Sequence, residues 1–96
     1  MTKLEPHEVE LTGAWIFEDG RMQGDAATER IMWLVSHYLQ KIATSKDYGA
    51  WETLFQDPED GRYWEKTYPQ SGLQGGGPPK LIMLSPEQAK LKYQLP

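Results

Sequence analysis

The sequence predicts an α+β domain, a small antiparallel sheet with one main helix packed on it and a short C-terminal helix. Three observations predict it. An aromatic, β-favouring run from Trp51 to Gln56 leads into Asp57-Pro58-Glu59-Asp60-Gly61 and returns along Arg62 to Tyr68, the pattern of a β-hairpin. Asp25 opens a stretch in which Ala27, Ile31, Leu34, Val35, Tyr38 and Ile42 recur at helical spacing. Ser85-Pro86-Glu87-Gln88 then spells a helix start directly after the apolar run Lys80 to Leu84.

In chain order, residues 1–8 carry few apolar groups and read as a loose arm. The pattern becomes strand-like from Val9 to Phe17, and Asp19-Gly20 is a strong hairpin-turn signal, so Arg21-Met22-Gln23 returns as a short strand. Gly24 ends that segment. Asp25 is placed to cap a helix over 25–43, because its carboxylate suits both the free first-turn amides and the positive end of the helix dipole. Trp33 falls off the apolar arc, either lying over a neighbouring loop or the N-terminal arm, or exposed as an anchor for a partner. Residues 43–49 read as a loop. In the central hairpin, Pro58 presets the φ of a turn's second position and Gly61 supplies a left-handed residue without a Cβ clash. Pro69 and Gly75-Gly76-Gly77-Pro78-Pro79 fit neither a helix nor a central strand. Lys80 to Leu84 then reads as a buried strand. In the last helix Ser85 caps, Pro86 takes the first position and Gln88 completes a capping box, with Leu91 or Tyr93 holding the helix to the sheet.

Composition narrows what such a domain does. With 96 residues there is room for one domain, 1–96, burying roughly 60–65% of the unfolded surface. A 39% hydrophobic and 11% aromatic content is that of a folded chain rather than a disordered one. The chain has no cysteine, which excludes disulfides and thiolate metal sites and fits a reducing compartment. No apolar run approaches the ~20 residues of a membrane span, and the first residues lack a signal peptide's apolar region, so a cytoplasmic protein without membrane attachment is expected. The net charge of −4 disfavours nucleic acid as a partner. Acidity is concentrated towards the N-terminus, where Glu5, Glu8, Glu10, Glu18, Asp19, Asp25 and Glu29 face Lys3 and Arg21, which favours a basic partner.

Constellations for chemistry are missing. His7 and His37 have no ligand-spaced companions. Asp57, Glu59 and Asp60 crowd one turn without the alternating acids of a calcium loop. Glu52 and Glu65 form a possible carboxylate pair on facing strands, but Glu52–Lys66 or Glu65–Arg62 charge contacts explain them more simply. Ser36, Ser45, Ser71 and Ser85 lack a nucleophile-elbow context. Gly75-Gly76-Gly77 is followed by prolines rather than by the Lys-Ser/Thr and helix of a phosphate loop. The expectation is therefore a non-enzyme with no cofactor and no metal.

Several of these segments carry a resemblance. Trp51-Glu52, Asp57-Pro58, Asp60-Gly61-Arg62-Tyr63-Trp64-Glu65, Tyr68-Pro69-Gln70-Ser71 and Gly75 to Pro79 resemble the immunity protein 27 family of bacterial polymorphic toxin systems. The likeness extends to Gly13-x-Trp15, to Arg30-Ile31-x-Trp33-Leu34 and to the Ser85 to Tyr93 tail. Ala50 and Gly72-Leu73-Gln74 depart from the family form. The resemblance implies a small cytosolic antidote that binds a cognate toxin domain, covering its active site or substrate path. A nuclease is the first expectation for that toxin, since an acidic inhibitor complements a basic nucleic-acid site. The competing expectation is a non-enzymatic adaptor that binds another protein through the same hairpin.

The surface expected to meet the toxin is the hairpin tip and the glycine loop. Asp57, Glu59 and Asp60 would steer, Arg62 and Tyr63 would make direct contacts, and Gln70, Gln74, Gly75, Gly76 and Gly77 would form an adaptable rim. The simpler alternative is that Asp57 and Asp60 bond turn amides, while Trp64 and Tyr68 belong to the core.

Overall fold

A computed structural model describes residues 1–45, 52–69 and 77–96. Among these residues, seven strands and two α-helices follow in order as β1 (Glu10–Thr12), β2 (Trp15–Glu18), β3 (Arg21–Gly24), α1 (Ala26–Trp33), β4 (Gln40–Thr44), β5 (Thr53–Gln56), β6 (Tyr63–Thr67), β7 (Lys80–Leu84) and α2 (Pro86–Tyr93). The predicted α+β class is what forms. A five-stranded sheet has the order β1-β7-β6-β5-β4, and β2 with β3 makes a separate two-stranded ribbon. All pairings are antiparallel.

The central hairpin pairs Phe55 with Trp64 and Gln56 with Tyr63, and Gly61 at φ +78° closes its turn. Trp51 lies outside the described residues. Directly opposed residues share a face, so Phe55 and Trp64 project together into the core with Leu4, Ile31, Leu34, Leu39 and Leu81. Leu54 and Glu65 project to the other face, where the Tyr93 hydroxyl of α2 donates to Glu65 Oε2 at 2.7 Å. One helix therefore lies on each face. Tyr93, not the 85%-exposed Leu91, joins α2 to the sheet. The predicted capping box is present, with Gln88 N–H donating to Ser85 Oγ at 3.1 Å and Ser85 N–H to Gln88 Oε1 at 2.8 Å.

Three boundaries differ from expectation. The helix does not run to residue 43. After Trp33 it widens into a π-type turn over Leu34–Tyr38, Leu39 is extended, and 40–44 is strand β4. Ile42, which continues the helical spacing, is instead the bulged residue between the Lys41–Phe55 and Ala43–Leu54 pairs, and it is 38% exposed. Sheet pairing with β5 overrides a pattern that four-residue spacing produced by coincidence. Residues 43 and 44 accordingly leave the expected loop for β4, and residues 46–49 of that loop lie outside the described residues. The second difference divides the strand expected from Val9 to Phe17. Gly13 donates to Pro79 O at 2.9 Å, so β1 stays in the main sheet while β2 turns off into the ribbon.

The third concerns the arm, which is ordered. Leu4 is buried in the core. Arg30 Nη1 and Nη2 donate to both Glu8 carboxylate oxygens at 2.7 Å, its Nη2 also to Lys3 O at 2.7 Å, and its Nε to Thr2 O at 3.1 Å. A sparse apolar pattern concealed this because one leucine and polar contacts from distant residues, those of Arg30 foremost, hold the segment. Trp33 is half-buried against the core and stacks on Tyr38, with ring centroids 6.3 Å apart and planes 3° from parallel. It is a packing residue rather than an exposed anchor.

Candidate functional site

The tip of the central hairpin is built around Asp57, which is 2% exposed. Its Oδ1 accepts the Tyr38 hydroxyl at 2.6 Å and the Glu59 and Asp60 amides at 2.8 and 3.4 Å. Burial raises the Tyr38 hydroxyl above its ordinary pKa, and the adjoining Asp57 carboxylate adds to the rise. The tyrosine therefore stays a neutral donor to that carboxylate. A proline-led turn with an acid at its first position folds in this way because a short carboxylate reaches amides two and three residues on.

The exposed part of the tip is Pro58 to Gly61. Glu59 meets Lys3 Nζ at 2.6 Å, a contact that holds its carboxyl below the usual range. At Asp60 burial acts to raise the carboxyl pKa, but the backbone amide and guanidinium of Arg62 outweigh it and lower the value. Arg62 reaches across to the arm, with Nη1 donating to Glu8 O at 2.7 Å and Nη2 to Glu5 O at 3.0 Å. It also lies over the Trp64 ring, 5.0 Å from the centroid. Tyr63 is half-buried in β6 between Gln56 and Leu84. Gly77 is buried at φ +73°. Gln70, Gln74, Gly75 and Gly76 lie outside the described residues. The structure thus gathers Asp57, Glu59, Asp60 and Arg62 at one end of the hairpin. Each of the four already has a partner within the chain.

A second cluster corrects the expected charge contacts of Glu52 and Glu65. Neither Glu52–Lys66 nor Glu65–Arg62 forms; both carboxylates converge on Lys92 of α2, at 3.0 and 2.8 Å. Burial alone would lower the Lys92 pKa, but hydrogen bonds to the two glutamates raise it. Leu54 opposes Glu65 across the hairpin, which turns Glu65 to the α2 face, away from Trp64. A cation on the C-terminal helix, far along the chain from both strands, was not visible in strand spacing.

The β2–β3 ribbon is the feature that the sequence left without a role. At its base, Asp25 Oδ1 accepts the Thr28 amide at 2.8 Å and the Ala14 amide at 3.2 Å, and Ala14 N–H also donates to Thr28 Oγ1 at 3.1 Å. Asp25 N–H returns a bond to Ala14 O at 2.9 Å. Gly13 and Gly24 let this junction close, since a Cβ on either would fall 2.4 and 2.6 Å from Thr28 side-chain atoms. Beyond the base, Phe17 pairs with Met22 and Trp15 with Gly24, placing Trp15, Phe17 and Met22 on one face. Trp15 continues into a groove of about 510 Å³ lined by Gly24, Thr28, Glu29, Met32, Tyr68, Gly77 and Pro79. The turn Asp19-Gly20, with φ +53° and +75°, was the available signal. A hairpin so short, with no third strand beside it among the described residues, leaves its outer residues exposed.

Among the described residues, no three His, Asp or Glu side chains are gathered as a metal ion would need. No helix among them is long and apolar enough to cross a membrane.

Structure and site together define a small α+β domain whose distinctive described surface features are a hairpin tip and an apolar ribbon. The family model of immunity protein 27 matches residues 17–85, and the chain belongs to that family. No curated protein and no solved structure matches the sequence.

Proposed function

We propose that this protein is the cytoplasmic antidote to a cognate toxin domain of a bacterial polymorphic toxin system. It binds that domain one to one and covers the active site or the path to it, without catalysing a reaction of its own. The observation that carries the proposal is the immunity protein 27 match across residues 17–85. A nuclease is the preferred toxin class, because the acidity of this chain complements a basic nucleic-acid site. The proposed contacts at the tip are the outward Glu59 and Asp60 for steering, with Tyr63 beside them and Gln70, Gln74 and Gly75 to Gly77 as further contacts. Asp57 and Arg62 act there by holding the turn and the arm in place.

Co-expression with the product of the adjacent toxin gene, followed by pull-down, tests the proposal. A stoichiometric complex and loss of toxicity are expected. An adjacent gene product that neither binds nor is silenced refutes it, and capture of an unrelated host protein points to an adaptor. Replacing Glu59 and Asp60 by Lys together should slow association and weaken its salt dependence. Unchanged affinity at low salt removes the tip from the interface.

A further inference from the structure

We propose that the β2–β3 ribbon, through Phe17, Met22 and Trp15 with Met32 at its base, is an apolar docking surface for a partner with a basic rim, and that the partner is the toxin domain. The partner's identity rests on the function proposed above; the surface rests on independent observations. Phe17 and Met22 are 72% and 62% exposed, Met32 43% and Trp15 36%. Single exposed apolar side chains are ordinary, but four along one continuous face are not. Aromatic residues and methionine are the types enriched where protein surfaces meet, and methionine adapts to the shape it meets.

The ribbon is also held ready. An isolated two-stranded hairpin is marginal in water, yet this one is tied at its base to the Asp25 cap and to Thr28. The outer pair Phe17–Met22 lies beyond those ties and stays mostly exposed. Their exposure gives the fold little, while a rigid mount lowers the ordering cost of binding.

Charge selects the occupant. Asp19 at the ribbon turn and Glu29, which lines the groove beside Trp15, border the face, while Glu18 opposes Arg21 on the reverse face; neither Asp19 nor Glu29 has an ion-pair partner among the described residues. This contrasts with the hairpin tip, where Lys3 and Arg62 already answer Glu59 and Asp60. Unanswered carboxylates around an apolar centre fit a basic-rimmed partner. They disfavour a second copy of this chain, since a self-paired ribbon would set like charges beside like.

The test measures binding of the domain encoded by the adjacent toxin gene, in an inactivated form, to the wild-type chain and to Phe17→Ser with Met22→Ser. Both substitutions are at exposed positions, and the thermal midpoint checks that the fold is kept. Roughly 30-fold weaker binding or more is expected, the scale of a binding hot spot. Asp19→Lys with Glu29→Lys should slow association several-fold at low salt, with the difference fading as salt rises. Wild-type-like affinity in the serine variant overturns the ribbon surface and leaves the antidote function standing. Failure of the wild-type chain to bind the toxin domain overturns both. Sedimentation showing a wild-type dimer that Phe17→Ser dissolves would assign the face to a second copy instead, and would also overturn the proposal.

Discussion

Replacing Glu8 by Gln tests how the N-terminal arm is held. The Glu8 carboxylate takes both arms of the Arg30 fork at 2.7 Å and the Glu5 amide at 2.8 Å. The side chains keep only 17% and 18% of their exposure. Hydrogen bonding from Arg30 is the largest influence on Glu8, and against an opposing effect of burial its pKa falls from 4.5 to about 2. At about 1.4 kcal/mol per tenfold change in proton affinity, that fall is worth ~3 kcal/mol. Solvent contact along the pair reduces the expectation to about 2 kcal/mol, near 10 °C in thermal midpoint for a domain of this size at roughly 4–8 °C per kcal/mol. Glutamine keeps the shape and one acceptor but removes the charge. Because the folded pKa is depressed, the stabilisation is complete above the unfolded value of 4.5 and is lost as pH falls through about 2. Urea denaturation of both proteins should therefore show a difference of about 2 kcal/mol at pH 7 that narrows steadily below pH 4.5. A difference under ~0.5 kcal/mol at pH 7, or one unchanged at pH 2.5, would refute the argument. Hydrogen exchange gives a second readout, since amides of residues 2–8 should lose protection in the variant at pH 7.

Two further perturbations address the hairpin tip and the ribbon base. Tyr38→Phe removes the 2.6 Å bond to the buried Asp57 carboxylate and should destabilise by ~1–3 kcal/mol. In a double-mutant cycle with Asp57→Asn, denaturation should show coupling of about 1 kcal/mol, and strict additivity would deny the contact. Gly13→Ala places a Cβ 2.4 Å from Thr28 Oγ1 and 2.8 Å from the Pro79 carbonyl oxygen. The backbone carbonyl cannot swing aside, so a loss of ~1–3 kcal/mol is expected, and an unchanged thermal midpoint would show that the junction is looser than drawn.

Local chemistry made much of this protein legible from its residues alone. Hairpin turns at Asp19-Gly20 and Asp57 to Gly61, the Asp25 cap and the Ser85–Gln88 capping box depend on neighbours within a few positions, and the structure has all four. The family motifs were equally visible, because they are contiguous. What tertiary structure alone decided depends on partners far along the chain. Residues 40–44 became a strand because β5 offered its edge, although Ile42 sits where a helix would want it. The arm became part of the core because Arg30 gathers Glu8 and two carbonyls across more than 20 residues. The same distance problem governs the candidate surfaces. Asp57 and Asp60 read as unpartnered charges until Tyr38 and Arg62 are seen to engage them, and Phe17 and Met22 read as ordinary strand residues until the folded chain is seen to leave them 72% and 62% exposed. A sequence displays which groups are charged or apolar, but only the folded chain determines which of them are already satisfied and which remain for a partner.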